Sequence, residues 1–329
     1  MWEGDLARRG LTRREALVLG VGAFAVAAWP LVDRRAVVRR TVPIMGTMAE
    51  LAVVDTDRDH AQTAIAEAVR ALQQVERQMT RFDRASDVGR ANRDAAREAV
   101  VVAPETAAVL ARAIGWAEAS DGWFDPCLVR AIQVWDVTSR RTPPPDSAFE
   151  RLAGRRLYRA LDLGTFRGQP AVRFGDPDVG LDLGGIAKGF GVDRAVAALR
   201  AARVRDAIVN VGGDLYAMGE GPDGDGWQVG IRSPQDPDRL LTTVRVTERA
   251  VATSGSYLQY FESSGRRYHH LLDPATAAPR VCGMRSLTVA AVDCVTADAA
   301  ATALFGRDPR AAAGVLAAHA AGAGVVLAI

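Results

Sequence analysis
The spacing of apolar and polar positions changes character along this chain. Ala61, Ala64, Ile65, Ala68, Val69, Leu72, Val75 and Met79 recur at helical intervals and predict a long amphipathic helix. A short strand is predicted before it at residues 47–54, and a second helix from Pro104 to about Ala119, opened by a proline. From about Val179 the pattern becomes short apolar runs separated by turns. These runs predict strands at residues 180–183, 207–211, 227–231, 242–246, 268–272 and 287–291. Helices are predicted at residues 186–199, 297–304 and 310–319, with a closing strand at 325–329. The run Pro143-Pro144-Pro145 marks an exposed connection. Strands neither alternate strictly with helices nor form one continuous sheet run, so α+β is the expected class. A helical N-terminal half and a strand-rich C-terminal half are expected to share one core.

Composition narrows the picture. The chain has 329 residues, 49% hydrophobic and 24% charged, enough for a large buried core. Its formal net charge is +2, with arginines interleaved among acids rather than gathered on one face. A nucleic-acid surface is therefore not expected. Cys127, Cys282 and Cys294 cannot build a disulfide framework and lack zinc spacing, so they read as buried or half-buried thiols.

The first 30 residues read as an address rather than as fold. Arg13-Arg14 precedes a weakly apolar run rich in glycine and alanine, with small residues at Ala23, Ala25, Ala27 and Ala28. The run is about 15 residues, short of the ~20 that span a bilayer comfortably. A twin-arginine export signal is expected, with an uncleaved N-terminal anchor as the alternative. The working domain is then residues 40–329, outside the cytoplasm.

Four segments carry candidate chemistry. Leu181-Asp182-Leu183-Gly184-Gly185-Ile186-Ala187-Lys188 runs from a strand through paired glycines into a helix with an early lysine. Such glycines let backbone approach a phosphate or a metal, although the same pair also serves ordinary tight turns. Val209-Asn210-Val211-Gly212-Gly213-Asp214 repeats the theme, and here a turn with a solvated Asp214 is the plain alternative. Two of the four histidines, His269 and His270, precede Asp273-Pro274. A near-neutral histidine is the usual proton acceptor for a hydroxyl nucleophile. Asp298 and Thr302 stand four apart, one above the other on a helix face, where carboxylate and hydroxyl oxygens suit a hard cation such as magnesium. A helix-dipole Asp and a core Thr would give the same spacing.

Taken in order, these segments resemble the ApbE family of FAD:protein FMN transferases over roughly residues 45–304. The matching stretches are Met45-Gly46-Thr47, then Met79-Thr80-Arg81-Phe82 with Ser86 and Asn92, then Gly122-Trp123-Phe124-Asp125-Pro126. They continue through residues 181–193, 209–214, 227–231, 253–257, 270–274 and 298–302. The resemblance implies a single large ApbE-like, T-fold-like domain. It implies FAD contacts from Met45, Phe82, Trp123, Phe124, Asp125, Asp182, Lys188 and Leu272. It also implies magnesium on Asp298, Thr302 and the carbonyl of Gly185, and His270 as the base for an acceptor hydroxyl. The implied reaction moves FMN from FAD to a Thr or Ser of an acceptor protein and releases AMP. FAD hydrolysis to FMN and AMP, and non-catalytic flavin binding, are the alternatives.

Three departures from the family pattern stand out. Phe82 keeps a ring but no hydroxyl in its loop, Ala277 replaces the glycine of the Asp-Pro turn, and Ala301 replaces a serine beside the expected metal.

Overall fold
The computed structural model describes residues 24–26, 36–236 and 238–329. The twin-arginine pair and the rest of the expected export segment lie outside the described residues, apart from 24–26. The centre of the fold is a seven-stranded antiparallel sheet. Its strands are β1 (Ala36–Ile44), β2 (Thr47–Asp55), β3 (Asp206–Val211), β4 (Asp214–Met218), β5 (Arg249–Gly255), β6 (Ser286–Ala291) and β7 (Gly324–Ala328). They lie in the sheet in chain order, each hydrogen-bonded to its sequence neighbour.

Insertions between consecutive strands supply the helices. Between β2 and β3 come α1 (Arg58–Met79), α2 (Asp87–Asp94), α3 (Pro104–Ala119), α4 (Val129–Trp135) and α5 (Ala187–Ala201). Between β6 and β7 come α6 (Cys294–Leu304) and α7 (Pro309–His319).

Alternation along the strands explains the layering. Leu51 and Val53, Ala207 and Val209, and Tyr216 and Met218 point to the face covered by α1, α5 and α6. Their neighbours Ala52, Val54, Ile208, Leu215 and Ala217 point to the other face. That face is sealed by strands Trp227–Arg232 and Leu240–Val246, through Trp227, Val229, Ile231 and Val246. A strand covered on both faces reads as a continuous apolar run, which is the signal at residues 207–211. The backbone of Phe24–Val26 adds a third strand, antiparallel to Trp227–Arg232.

Helix α6 is the most enclosed element, and every residue from Cys294 to Leu304 except Thr302 is buried. Its alanines allow this, because small side chains let a helix pack on all sides at once. The N-terminus of α6 is held by two carboxylates. Asp293 accepts from the Thr296 amide, and Asp193 of α5 accepts from Cys294 and Val295 at 2.8 and 2.9 Å.

The structure corrects several sequence expectations. Residues 180–183 form no strand, only a single bridge at Gly180, because Asn92 takes both backbone groups of Leu181. The run 268–272 is two strands, Arg266–His269 and Leu272–Asp273, with a break at His270. Strands β1, β4 and β5 are additional to those read from the sequence. All three cysteines are free thiols, with Cys127 and Cys294 buried and Cys282 exposed.

Candidate active site
Antiparallel pairing brings the β1–β2 turn, the β3–β4 turn and the end of β5 to one end of the sheet. The Gly212 amide donates to Met48 at 3.1 Å, and Asp214 stands opposite Ala252. Asp214 and Ser254 therefore share a face on adjacent strands, and that face meets α5 and α6.

The N-terminal end of α5 lies against α6 at unusually short range. A Cβ on Gly189 would sit 2.2 Å from the Cys294 carbonyl oxygen, so only glycine permits the approach. The Gly189 amide donates to Asp298 Oδ2 at 2.9 Å. Lys188, one residue earlier, donates to the Asp214 carboxylate and lies 3.3 Å from Asp298 Oδ1. Both carboxylates are 2% exposed. Burial alone would discharge Lys188, but the two facing carboxylates outweigh it and hold the ammonium charged. Burial, with repulsion from Asp298, pushes the Asp214 carboxyl upward. Asp214 is thus part of the cluster and not the solvated turn residue that the sequence left open.

Asp298 and Thr302 fall on one face of α6, as the spacing predicts. Thr302 Oγ1 is 3.3 Å from Ser254 Oγ. A Cβ on Gly185 would be 2.9 Å from Thr302 Cγ2 and 3.1 Å from Thr302 Oγ1. Glycine is what lets the 185 backbone close on Thr302. The donor set expected from the sequence is all oxygen: the Asp298 carboxylate, the Thr302 hydroxyl and the Gly185 carbonyl. That set fits magnesium, which takes few protein ligands and keeps water and phosphate oxygens. Among the described residues no three His, Cys, Asp or Glu side chains converge as a protein-only cage.

His270 is half-buried at the break between its two strands. Its Nδ1 faces the Gln259 carbonyl at 3.3 Å, and a carbonyl can only accept. The ring proton is therefore on Nδ1, leaving the Nε2 lone pair available. Burial, reinforced by Lys188 and Arg280 against Asp182, lowers the His270 pKa to about 4. The ring is neutral at physiological pH, the state a general base requires.

The remaining predicted contacts lie on separate segments, some exposed and some buried. Met45 holds a left-handed backbone, φ 51, in the two-residue turn joining β1 to β2, with its amide fixed by Glu76 Oε1 at 2.7 Å. Asp182 caps the Gly184 amide at 2.7 Å and pairs with Arg81 at 2.6 Å. Arg81 also lies over the Phe82 ring, which is 80% exposed. Phe124 is buried against the Gly185 turn. Asp125 turns inward instead: its oxygens accept from the Cys127 and Tyr158 amides, and burial raises its pKa to about 6.

Leu272 is buried, and its carbonyl accepts from Arg280 at 3.0 Å. Trp123 donates from Nε1 to the Phe305 carbonyl at 3.1 Å, with Arg280 and Arg307 each 5.2 Å from its ring centroid. Ala277 adopts φ 52, so the turn keeps its left-handed residue despite losing the glycine.

Sequence reading left Asp214 open between site and turn, gave Ser254 no role within residues 253–257, and passed over Arg280. The apolar run Leu215-Tyr216-Ala217-Met218 after Asp214 is a signal that it opens a buried strand. Nothing in the sequence around Arg280 marks it.

Comparison with known proteins gives the family and the fold. The ApbE family model matches residues 45–327. An FAD:protein FMN transferase of Treponema pallidum is 35% identical over 80% of this chain and 76% of its own. One from Vibrio cholerae is 30% identical over 80% of this chain and 79% of its own. The crystal structure of an ApbE protein from Thermotoga maritima superposes with a TM-score of 0.79 at 28% identity, covering 89% of this chain and 94% of that one. The V. cholerae flavin transferase ApbE gives 0.74 at 27% identity, covering 86% and 91%. The chain belongs to the ApbE family.

Proposed function
We propose that this protein transfers the FMN half of FAD to a Thr or Ser hydroxyl of an acceptor protein, with magnesium. The observation that carries the reading is Lys188, held between Asp214 and Asp298 and near enough to act on the neutral His270, with Thr302 packed against the Gly185 turn. Names carried by the relatives support the same reaction.

His270 Nε2 takes the proton of the acceptor hydroxyl, whose oxygen attacks the FMN-side phosphorus of FAD. The bond from that phosphorus to the bridging oxygen breaks, and AMP leaves with the electron pair. Magnesium on Asp298, Thr302 and the Gly185 carbonyl would neutralise charge on the phosphoryl oxygens. Lys188 adds a fixed positive charge at the same place, held there by Asp214. Met45, Phe82, Trp123, Phe124, Asp182 and Leu272 form the FAD rim, and Asp125 shapes the segment behind Trp123. The Arg13-Arg14 segment supports export by the twin-arginine route, so the acceptor is expected on the outer side of the cytoplasmic membrane.

The test is stoichiometric. Protein, FAD and magnesium are incubated with an acceptor, and AMP and acceptor-bound flavin are quantified together. One AMP per flavinylated acceptor is expected. AMP with free FMN and no adduct would make the protein an FAD hydrolase, and intact bound FAD a flavin carrier.

A further inference from the structure
Arg280 is a buried guanidinium, 6% exposed, whose hydrogen bonds go to main-chain carbonyls rather than to a carboxylate. Nη1 donates to Thr302 O and Phe305 O, both at 2.8 Å, Nη2 to Trp123 O at 2.7 Å and Nε to Leu272 O at 3.0 Å. Burial lowers its pKa to about 10. Burying a cation is costly, and with Asp273 acting on it only through space, the four carbonyls supply its direct hydrogen-bonded compensation.

Two of those carbonyls close the C-terminal end of α6, where unpaired C=O groups and the negative pole of the helix dipole gather. The helix is thus held by Asp193 and Asp293 at one end and by Arg280 at the other, which fixes Asp298 and Thr302 along its axis. The other two carbonyls belong to Trp123 and Leu272. A guanidinium is planar and rigid, so its two sides cannot shift independently.

We propose that Arg280 is a positioning residue that couples α6 to the Trp123 and Leu272 segments, so that magnesium and FAD bind cooperatively. The proposal rests on the assignment of magnesium to α6 and of FAD to those two segments. Magnesium that settles α6 also settles Trp123 and Leu272 through one shared side chain, and FAD does the reverse. Reciprocity is required of any such coupling.

The test measures FAD dissociation constants by flavin fluorescence, with and without magnesium, in the wild type, Arg280→Lys and Arg280→Met. In the wild type magnesium tightens FAD by about 10-fold, within the usual range for coupled sites. In a folded variant the ratio falls below the wild-type value, to the part that direct contact between magnesium and the FAD phosphates supplies. A ratio that stays at the wild-type value while Tm drops would reduce Arg280 to a structural cap and overturn the proposal.

Hydrogen exchange on the wild type decides the matter even if neither variant folds. Magnesium alone should protect residues 294–305 together with residues 121–124 and 270–273. Protection of 294–305 alone overturns the coupling and leaves the metal assignment standing. Protection of neither overturns the metal assignment and the coupling together.

Discussion

The two faces of the central sheet are built from the same strands but do different work. One face meets strands Trp227–Arg232 and Leu240–Val246 through Leu215, Ala217, Val251, Val229 and Ile231, and serves to exclude water. The other meets α5 and α6, and at one end it replaces apolar contacts with Asp214 and Ser254 facing Lys188, Asp298 and Thr302. Strand alternation makes the division possible, since neighbouring residues such as Asp214 and Leu215 serve opposite faces. Polar groups are affordable on the helix face because Lys188, the Gly189 amide and the helix termini compensate them.

Perturbing each face separately should break this comparison if it is wrong. Asp298→Ala should lower transfer by about 1,000-fold or more, since it removes the only carboxylate of the metal set. The check is rate against magnesium concentration, with saturating metal failing to restore it. His270→Ala should slow transfer by about 100- to 1,000-fold and leave FAD affinity within a few-fold. A variant that keeps the wild-type rate would exclude His270 as the base.

On the opposite face, Leu215→Ala should cost about 2–5 kcal/mol of stability while turnover per folded molecule stays unchanged. Chemical denaturation together with active-site titration measures both quantities. A loss of turnover in the folded fraction would show that the faces are not separable.

The smallest expected effect is on acid stability. His269 and His270 both have folded pKa values of about 4, lowered first by burial. At these two positions the unfolded chain binds more protons between about pH 6.5 and 4, so their contribution to stability is lost as pH drops through that window, while the buried carboxyls of Asp125 and Asp193, raised to about 6, act in the opposite direction. Above the unfolded value the effect is absent. The Tm of His269→Gln relative to wild type should rise as pH falls through this range, and a difference that does not change with pH would show that His269 contributes no acid sensitivity.

Much of this was legible in the sequence, for identifiable reasons. Helix α3 was readable to its ends and α1 to within about three residues, because long periodic stretches, with a first-turn proline in α3, leave little freedom. Asp298 and Thr302 were readable as a pair, since helical spacing alone puts them on one face. Residues 180–183 misled because a buried apolar run held by an asparagine side chain looks the same as one held by a neighbouring strand. Strands β1 and β5 were missed because their polar positions, Arg39, Arg40, Thr253 and Ser254, interrupt the apolar pattern. Arg280 was invisible because its partners are carbonyls from three separate segments, and no local pattern records a contact made across the fold.

The most direct measurement is the intact mass of an acceptor protein after incubation with this enzyme, FAD and magnesium. The roles proposed for His270, Asp298 and Thr302 predict a single FMN-sized gain. That gain should be abolished by removing the acceptor Thr or Ser, or by chelating the metal. An unmodified acceptor alongside free FMN and AMP would contradict transfer and make water the acceptor in this site.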